Sequence, residues 1–225
     1  MIKYIIFDFD DTLSNFQKCK DNSKVIITPY LRENGVNIDE YWEEYEAQFE
    51  VLFSRYVNHE LGVHEYRIMR FLHHGITKEQ AELFNEIYLE TVHKPLLFDD
   101  VIPVLKELKS RGYKLYILSN GPESQRNKII SCEASNYFDS IFISAELDCG
   151  KPSKEVYEKV LSSINAKPEE CIMIGDSYEN DCAAAERAGI YAVQVNRNNK
   201  KIKNYKNQID SLYQIFEYLD KGEQK

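Results

Sequence analysis

The chain of 225 residues is poor in glycine (nine), proline (six) and tryptophan (one), and it holds only five cysteines. It contains no low-complexity tract, internal repeat or long linker. Cys19, Cys132, Cys149, Cys171 and Cys182 are odd in number and include no C-x-x-C pair, which suits reduced intracellular thiols and speaks against a disulfide framework or a zinc site. No apolar run approaches the length that crosses a bilayer. The opening Met1-Ile2-Lys3-Tyr4 lacks the apolar segment and cleavage site of a secretory signal, so the expected location is the cytoplasm. Basic charge is also short, with 28 Lys and Arg against 37 Asp and Glu and a formal net charge of −9. That balance argues against a nucleic-acid polymer as partner, because such surfaces neutralise phosphates with basic residues, but it leaves a small anionic substrate open. One basic cluster, Lys200, Lys201, Lys203 and Lys206, sits among asparagines and reads as a solvated loop.

What is present is a hydrophobic content of 43%, enough to bury a full core in one large domain or in a domain with a substantial insertion. The apolar run Tyr4-Ile5-Ile6-Phe7 reads as a first strand. From about Phe16 to Lys94 the pattern is helical and offers no convincing strand. Tyr41, Tyr45, Phe49, Leu52 and Tyr56 form a helical stripe behind an expected cap at Asp39, and Thr77 with Gln80 fits a capping box. A shorter helix is expected over Glu65 to His73. The aromatic stripes suit either packing between helices or a substrate surface, with packing the default.

From Pro95 onward helix and strand alternate. Helices are expected at Asp100 to Arg111, from Glu123, at Ser153 to Ile164 and at Asn180 to Ala188. Strands are expected at Tyr113 to Leu118, Ser140 to Ser144 and Cys171 to Ile174, with Tyr191 to Val195 the last. Such alternation predicts an α/β, Rossmann-like parallel sheet with helices on both faces. The expected organisation is an α/β core of residues 1–14 and 96–225, interrupted by a helical cap domain over 15–95. The crossings fall near Ser14 to Phe16 and Pro95 to Phe98, where Asn15 and Phe16 suit either a leaving-group contact or a hinge.

Asp8-Phe9-Asp10-Asp11-Thr12 follows the first strand directly. In open parallel sheets ligands bind outside the carboxyl ends of the strands, so these acids face a crevice. An Asp suits covalent attack on phosphorus, and a neighbouring carboxyl suits proton transfer to a leaving oxygen. An ordinary strand-end turn explains the same residues. With thirteen Asp and four Thr, an Asp-x-Asp-x-Thr pattern arises by chance in roughly one such sequence in a hundred, so the motif does not decide alone.

Three more strand ends carry polar groups. Ser119-Asn120-Gly121 offers a hydroxyl and backbone N–H groups for a phosphoryl oxygen. Gly150-Lys151-Pro152 offers an ammonium that by itself reads as a surface lysine. Gly175-Asp176-Ser177-Tyr178-Glu179-Asn180-Asp181 places Asp176 at a strand tip and Asp181 at a helix start, where a negative charge is favourable without further function.

Taken in order, these four motifs resemble those of the haloacid dehalogenase superfamily of phosphohydrolases over nearly the whole chain. The resemblance implies Asp8 as nucleophile, Asp10 as general acid and base, Ser119 as phosphoryl-binding hydroxyl with Asn120 beside it, and Lys151 as the charge-stabilising lysine. It implies a Mg²⁺ site built from Asp8, Asp10 through its backbone carbonyl, Asp176 and Asp181, the last either directly or through water. The helical insertion resembles the family's α-helical cap.

Such a site needs cations. Two unit charges about 4 Å apart repel by roughly 4 kcal/mol at an effective dielectric near 20, and a phosphate monoester brings two charges toward Asp8. Mg²⁺ favours oxygen ligands and suits this role. The implied activity is a phosphatase for a small soluble phosphomonoester, acting through a phosphoaspartyl intermediate. A dehalogenase is disfavoured by Asp10, since a leaving halide needs no proton. A phosphomutase and a non-catalytic phospho-receiver remain as alternatives. The size, the cap and Leu118-Ser119-Asn120-Gly121 are similar to the branch of pyrimidine 5′-nucleotidases and sialic-acid 9-phosphatases, which puts a nucleoside monophosphate ahead of a sugar phosphate. No membrane partner is implied, and the expected state is a monomer or weak homodimer.

Overall fold

The computed structural model describes residues 1–197 and 202–223. Six strands, β1 (Tyr4–Phe7), β2 (Lys114–Ser119), β3 (Ser140–Ile143), β4 (Cys171–Gly175), β5 (Tyr191–Val195) and β6 (Gln208–Ile209), form one sheet in the order β3-β2-β1-β4-β5-β6. Every neighbouring pair is parallel. Ten α-helices accompany them among the described residues, besides four short helical turns: α1 (Phe16–Glu33), α2 (Ile38–Val57), α3 (Val63–Met69), α4 (Lys78–Val92), α5 (Val101–Ser110), α6 (Ser124–Ile130), α7 (Ser144–Leu147), α8 (Lys154–Ser163), α9 (Ala184–Arg187) and α10 (Ile215–Glu223).

Side chains alternate across a strand, and here both faces are apolar. Ile5, Phe7, Leu115, Ile117, Ile172, Ile174 and Val193 share one buried cluster with α5, through Val101, Val104 and Leu108, and with α10, through Ile215 and Leu219. Ile6, Tyr116, Leu118, Met173 and Ala192 point the other way and pack with Val156, Tyr157 and Val160 of α8 and Ala184 and Ala185 of α9. The sheet is therefore covered on both faces, as alternating strands and helices predict. At about 1.5–3 kcal/mol for each fully buried aliphatic side chain, this core is what holds the strand ends in register.

The sequence-based series ends at β5, yet β6 adds a sixth strand through Gln194↔Gln208 and Val195↔Ile209. Two paired residues are too few to show a period. The expected helix from Asn180 to Ala188 is present but begins as a wide π-helical turn over Tyr178–Ala183 that runs into α9. In the basic cluster Lys203 and Lys206 are exposed, whereas Lys200 and Lys201 lie outside the described residues.

The chain divides into two compact units, residues 1–16 with 95–225, and residues 17–94. The second contains no strand among its described residues. The Thr77 capping box forms, with the Gln80 N–H donating to Thr77 Oγ1 at 3.3 Å and the Thr77 N–H to Gln80 Oε1 at 2.8 Å. The cap of α2 is Asn37 and not Asp39, because the Asn37 side chain reaches forward to the Glu40 N–H and starts the helix earlier. The third expected helix is shorter and earlier, at Val63–Met69, with the left-handed turn of Gly75 beyond it. Tyr41 and Tyr45 are fully buried, and Tyr45 packs on Phe71 at 5.1 Å between ring centres. That part of the stripe is packing. Arg70, 1% exposed, lies over the rings of Tyr88 at 4.3 Å and Tyr66 at 4.8 Å. Among the described residues no helix is long and apolar enough to cross a membrane.

Candidate active site

Because all the strands are parallel, their carboxyl ends lie along one edge of the sheet, and Asp8, Ser119 and Asp176 follow β1, end β2 and follow β4 there. The loop after β1 is tight. The N–H groups of Leu13 and Ser14 both donate to the Phe9 carbonyl at 2.9 Å, and Asp11 takes a left-handed φ of 56°. This turn leaves Asp8 facing β4, whose Ile174 carbonyl accepts the Asp8 N–H at 2.9 Å.

Lys151 enters from the segment before α8. Its ammonium donates to Asp8 Oδ1 and to Asp181 Oδ1, each at 2.6 Å, and only 3% of its side chain is exposed. It is no surface lysine. Asn120 sets its position: Asn120 Nδ2 donates to the Lys151 carbonyl at 2.7 Å and the Lys151 N–H donates to Asn120 Oδ1 at 2.9 Å. One hydrogen of the Asn120 amide and its oxygen are thus engaged by the Lys151 backbone. Gly150 allows the approach, since a Cβ there would stand 2.8 Å from Asn120 Oδ1.

Asp8, Asp176 and Asp181 each present a carboxylate oxygen within 4.8 Å of the others. Gly175 makes room for this, since an added Cβ would meet Asp181 Oδ2 at 2.2 Å. The wide turn lets the Ser177 N–H donate to Asp181 Oδ2 at 3.0 Å. Thr12, which closes the first motif, also ties the loop after β1 to the end of β4. Its Oγ1 accepts the Asp176 N–H at 2.9 Å and donates to Asp176 Oδ1 at 3.3 Å. Arg197 braces this contact by donating to the Thr12 carbonyl at 3.0 and 3.1 Å while pairing with Asp100.

Three carboxylates against one ammonium leave two negative charges without a counter-charge when all are ionised. Burial pushes the Asp8 carboxyl up to about 7, with Asp181 adding to the rise against the pull of Lys151. Burial likewise pushes Asp176 up to about 8, with Asp8 and Asp181 adding to it. Lys151 is desolvated too, but Asp181 and Asp8 hold it above the ordinary lysine range. An all-oxygen donor set with this excess charge fits a hard divalent cation such as Mg²⁺.

The carboxylate of Asp10 lies outside that group of three. Lys128 Nζ and Ser14 Oγ donate to its Oδ1 at 2.5 and 3.0 Å, and Gln125 Nε2 donates to its Oδ2 at 2.8 Å and to Ser119 Oγ at 3.1 Å. Any part of Asp10 in holding a cation therefore falls to its backbone carbonyl. Asn15 and Phe16 continue the chain from this loop: the Asn15 N–H bonds the Leu96 carbonyl at 2.7 Å, and the Phe16 ring faces the Lys128 ammonium at 4.4 Å. Gln125, Lys128 and Arg197 were not marked as functional by the sequence. The available signal was the three-residue spacing of Gln125 and Lys128, which puts them on one helix face after Ser119.

A family model for haloacid dehalogenase-like hydrolases matches residues 2–189, and the chain belongs to that family. It is similar to the pyrimidine 5′-nucleotidase PynA of Streptococcus pneumoniae, 28% identical over 97% of this chain and 92% of that protein. It is also similar to a glyceraldehyde 3-phosphate phosphatase of Methanopyrus kandleri, 27% identical over 88% and 85% of the two chains. A mouse N-acylneuraminate-9-phosphatase is 34% identical, over 47% of this chain and 43% of that one. Among solved structures, the magnesium-bound HAD-hydrolase YfnB of Bacillus subtilis superposes with a TM-score of 0.80, at 21% identity over 98% of this chain and all of that one. The same fold is seen in L-2-haloacid dehalogenase from Xanthobacter autotrophicus, with a TM-score of 0.78 at 14% identity over 98% and 99% of the chains.

Proposed function

We propose that this hydrolase is a Mg²⁺-dependent phosphatase that cleaves a small soluble phosphomonoester through a phosphoaspartyl intermediate on Asp8. The observation that carries it is the joint engagement of Lys151 with Asp8 and Asp181 at 2.6 Å, in a three-carboxylate cluster at the carboxyl edge of the sheet. Asp8, Asp176, Asp181 and the Asp10 carbonyl would hold the cation, whose chemistry is to offset the charge of the phosphoryl group and of the attacking carboxylate.

Asp8 attacks phosphorus in line, one carboxylate oxygen forming the new P–O bond as the ester P–O bond breaks. Asp10 gives its proton to the departing oxygen. Ser119 Oγ and the Asn120 N–H hold phosphoryl oxygens, and Lys151 places positive charge beside the transferring group and fixes Asp8. Asp10, now a carboxylate, takes a proton from the water that opens the intermediate, releasing phosphate and restoring Asp8. An acid at position 10 has no work in a reaction that expels halide, and this favours a phosphatase over the dehalogenase chemistry named for several structural neighbours.

The substrate class is a nucleoside monophosphate first and a sugar phosphate second. The first draws support from the similarity to PynA over nearly the full chain, the second from relatives named for glyceraldehyde 3-phosphate and N-acylneuraminate 9-phosphate. The unit of residues 17–94 is proposed as the cap that admits the alcohol portion and excludes water. Screening nucleotides, sugar phosphates and cofactor phosphates with and without Mg²⁺ tests both the reaction and the substrate. Turnover is expected only with the cation, and Asp8→Asn is expected to abolish it. Full Mg²⁺-dependent turnover by Asp8→Asn rejects the nucleophile, and no phosphate release from any ester with any divalent cation rejects the function.

A further inference from the structure

Lys128 and Gln125 lie on α6, outside the four motifs, yet both close on Asp10. The Lys128 side chain is 3% exposed, its ammonium bonds Asp10 Oδ1 at 2.5 Å, and the rings of Phe16 and Phe9 lie 4.4 and 5.6 Å from it. Taking an ammonium out of water is costly, and an apolar pair of the same volume is often as stable as a buried ion pair, so net stability is a weak reason for keeping both charges. Gln125 Nε2 has two hydrogens and two acceptors, Asp10 Oδ2 at 2.8 Å and Ser119 Oγ at 3.1 Å. Ser14 Oγ adds a third donor to Asp10, at 3.0 Å on Oδ1. Both oxygens of the carboxyl are thereby pinned and its plane cannot turn freely. Gly121 keeps the helix close, since a Cβ there would stand 3.1 Å from Gln125 Cβ.

We infer that Lys128 is a positioning residue that, with Gln125 and Ser14, fixes the Asp10 carboxyl in the one orientation from which it serves the leaving group. Proton transfer needs the acid within hydrogen-bond reach and aligned, so a carboxyl left to rotate loses rate in that step alone. Gln125 further fixes the acid relative to the hydroxyl of Ser119. This assignment rests on the phosphatase reading above and goes beyond it in naming what holds the acid.

The experiment compares kcat/KM for phenyl phosphate, whose departing phenolate needs a proton, with that for 2,4-dinitrophenyl phosphate, whose leaving group needs none. The proteins are the full-length wild type, Lys128→Met, Ser14→Ala, Asp10→Asn and the Asp10→Asn/Lys128→Met double variant, all with Mg²⁺ at one pH. Lys128→Met is expected to lose about thirty-fold on phenyl phosphate and less than about threefold on the dinitrophenyl ester, a part of the roughly 10²- to 10⁴-fold that a general acid supplies. Ser14→Ala is expected to show the same selectivity at about threefold, a pattern that stands by itself if Lys128→Met does not fold. The double variant is expected to be no slower than Asp10→Asn. Equal losses on both esters, or an additive loss in the double variant, overturn the assignment while the phosphatase reading stands. A wild type that hydrolyses neither ester overturns the reading and the assignment together.

Discussion

The Lys151 ammonium stands 2.6 Å from Asp8 Oδ1, and the two side chains are 3% and 10% exposed. A buried charge whose partner is removed is costly, typically about 3–5 kcal/mol, because the remaining ion keeps its desolvation penalty. Lys151→Met is therefore expected to lower stability by about that amount at neutral pH, and to lower kcat by about 10² to 10³ through loss of charge stabilisation. Urea denaturation and Mg²⁺-supported turnover check the two. The stability deficit should shrink in acid, where Asp8 carries its proton with or without the lysine.

The proposed metal and protons would compete for the same oxygens. The Asp8 carboxyl ionises near 3.8 when unfolded and at about 7 when folded, and that of Asp176 at about 8. With the folded values raised, the native state binds more protons than the unfolded chain in between. The contribution of these groups is fully present below about pH 4 and is lost as pH rises through about 7 to 8. Thermal melting of the metal-free protein is expected to show this loss, and saturating Mg²⁺ to reverse it. Calorimetry in buffers of different ionisation enthalpy should register proton release on Mg²⁺ binding near pH 7, with affinity rising toward about pH 8 and levelling above.

Gly175→Ala tests the close approach of Asp181 to the β4 end. Its methyl would stand 2.5 Å from Asp181 Cβ and 2.2 Å from the carboxyl carbon. The Asp181 side chain must shift, and its bonds to Lys151 and the Ser177 N–H shift with it. Expected are a stability loss of about 1–3 kcal/mol, as for overpacked cores, and Mg²⁺ affinity weakened by about ten- to a hundredfold. Metal titration followed by intrinsic fluorescence or calorimetry separates the second effect from the first.

Arg197 supports Thr12 and Asp100 at once, and with Asp100 it forms a bidentate pair whose side chains are 7% and 8% exposed. Burial opposes the charge of Asp100, but Arg197, Ser211 and the Leu212 N–H together hold its carboxyl below the usual value. A depressed value stabilises above the unfolded pKa, near 3.8, and the benefit disappears as pH falls through the folded one. Arg197→Met is expected to cost about 3–5 kcal/mol at pH 7 and markedly less in strong acid. Loss of the Thr12 brace should also weaken Mg²⁺ binding, which metal titration of the folded variant measures.

The strands, the helical segment and the strand-end acids were legible because they are local. A run such as Tyr4-Ile5-Ile6-Phe7 followed by Asp8-Phe9-Asp10 carries its own hydrophobic and polar pattern, and the Thr77 and Gln80 cap lies within one turn of helix. The start of α2 was misplaced because Asn37 and Asp39 are both good caps, and only backbone geometry chooses between them. β6 and the wide turn at Tyr178–Ala183 are too short or too irregular to leave a period.

By itself the sequence determined which residues end strands and which stretches bury one face, since both follow from near-neighbour chemistry. The tertiary structure alone decided what those residues touch. Lys151 meets Asp8 across 143 positions, Lys128 meets Asp10 across 118, and Arg197 meets the Thr12 carbonyl across 185. These contacts exist because β1 lies between β2 and β4, an order set by packing both sheet faces and by no local signal. That order turns Asn120 toward the Lys151 backbone and the Asp10 carboxyl away from the other acids, and it gives Lys151, which by itself reads as a surface lysine, the buried Asp8 carboxylate and Lys128 the half-buried one of Asp10.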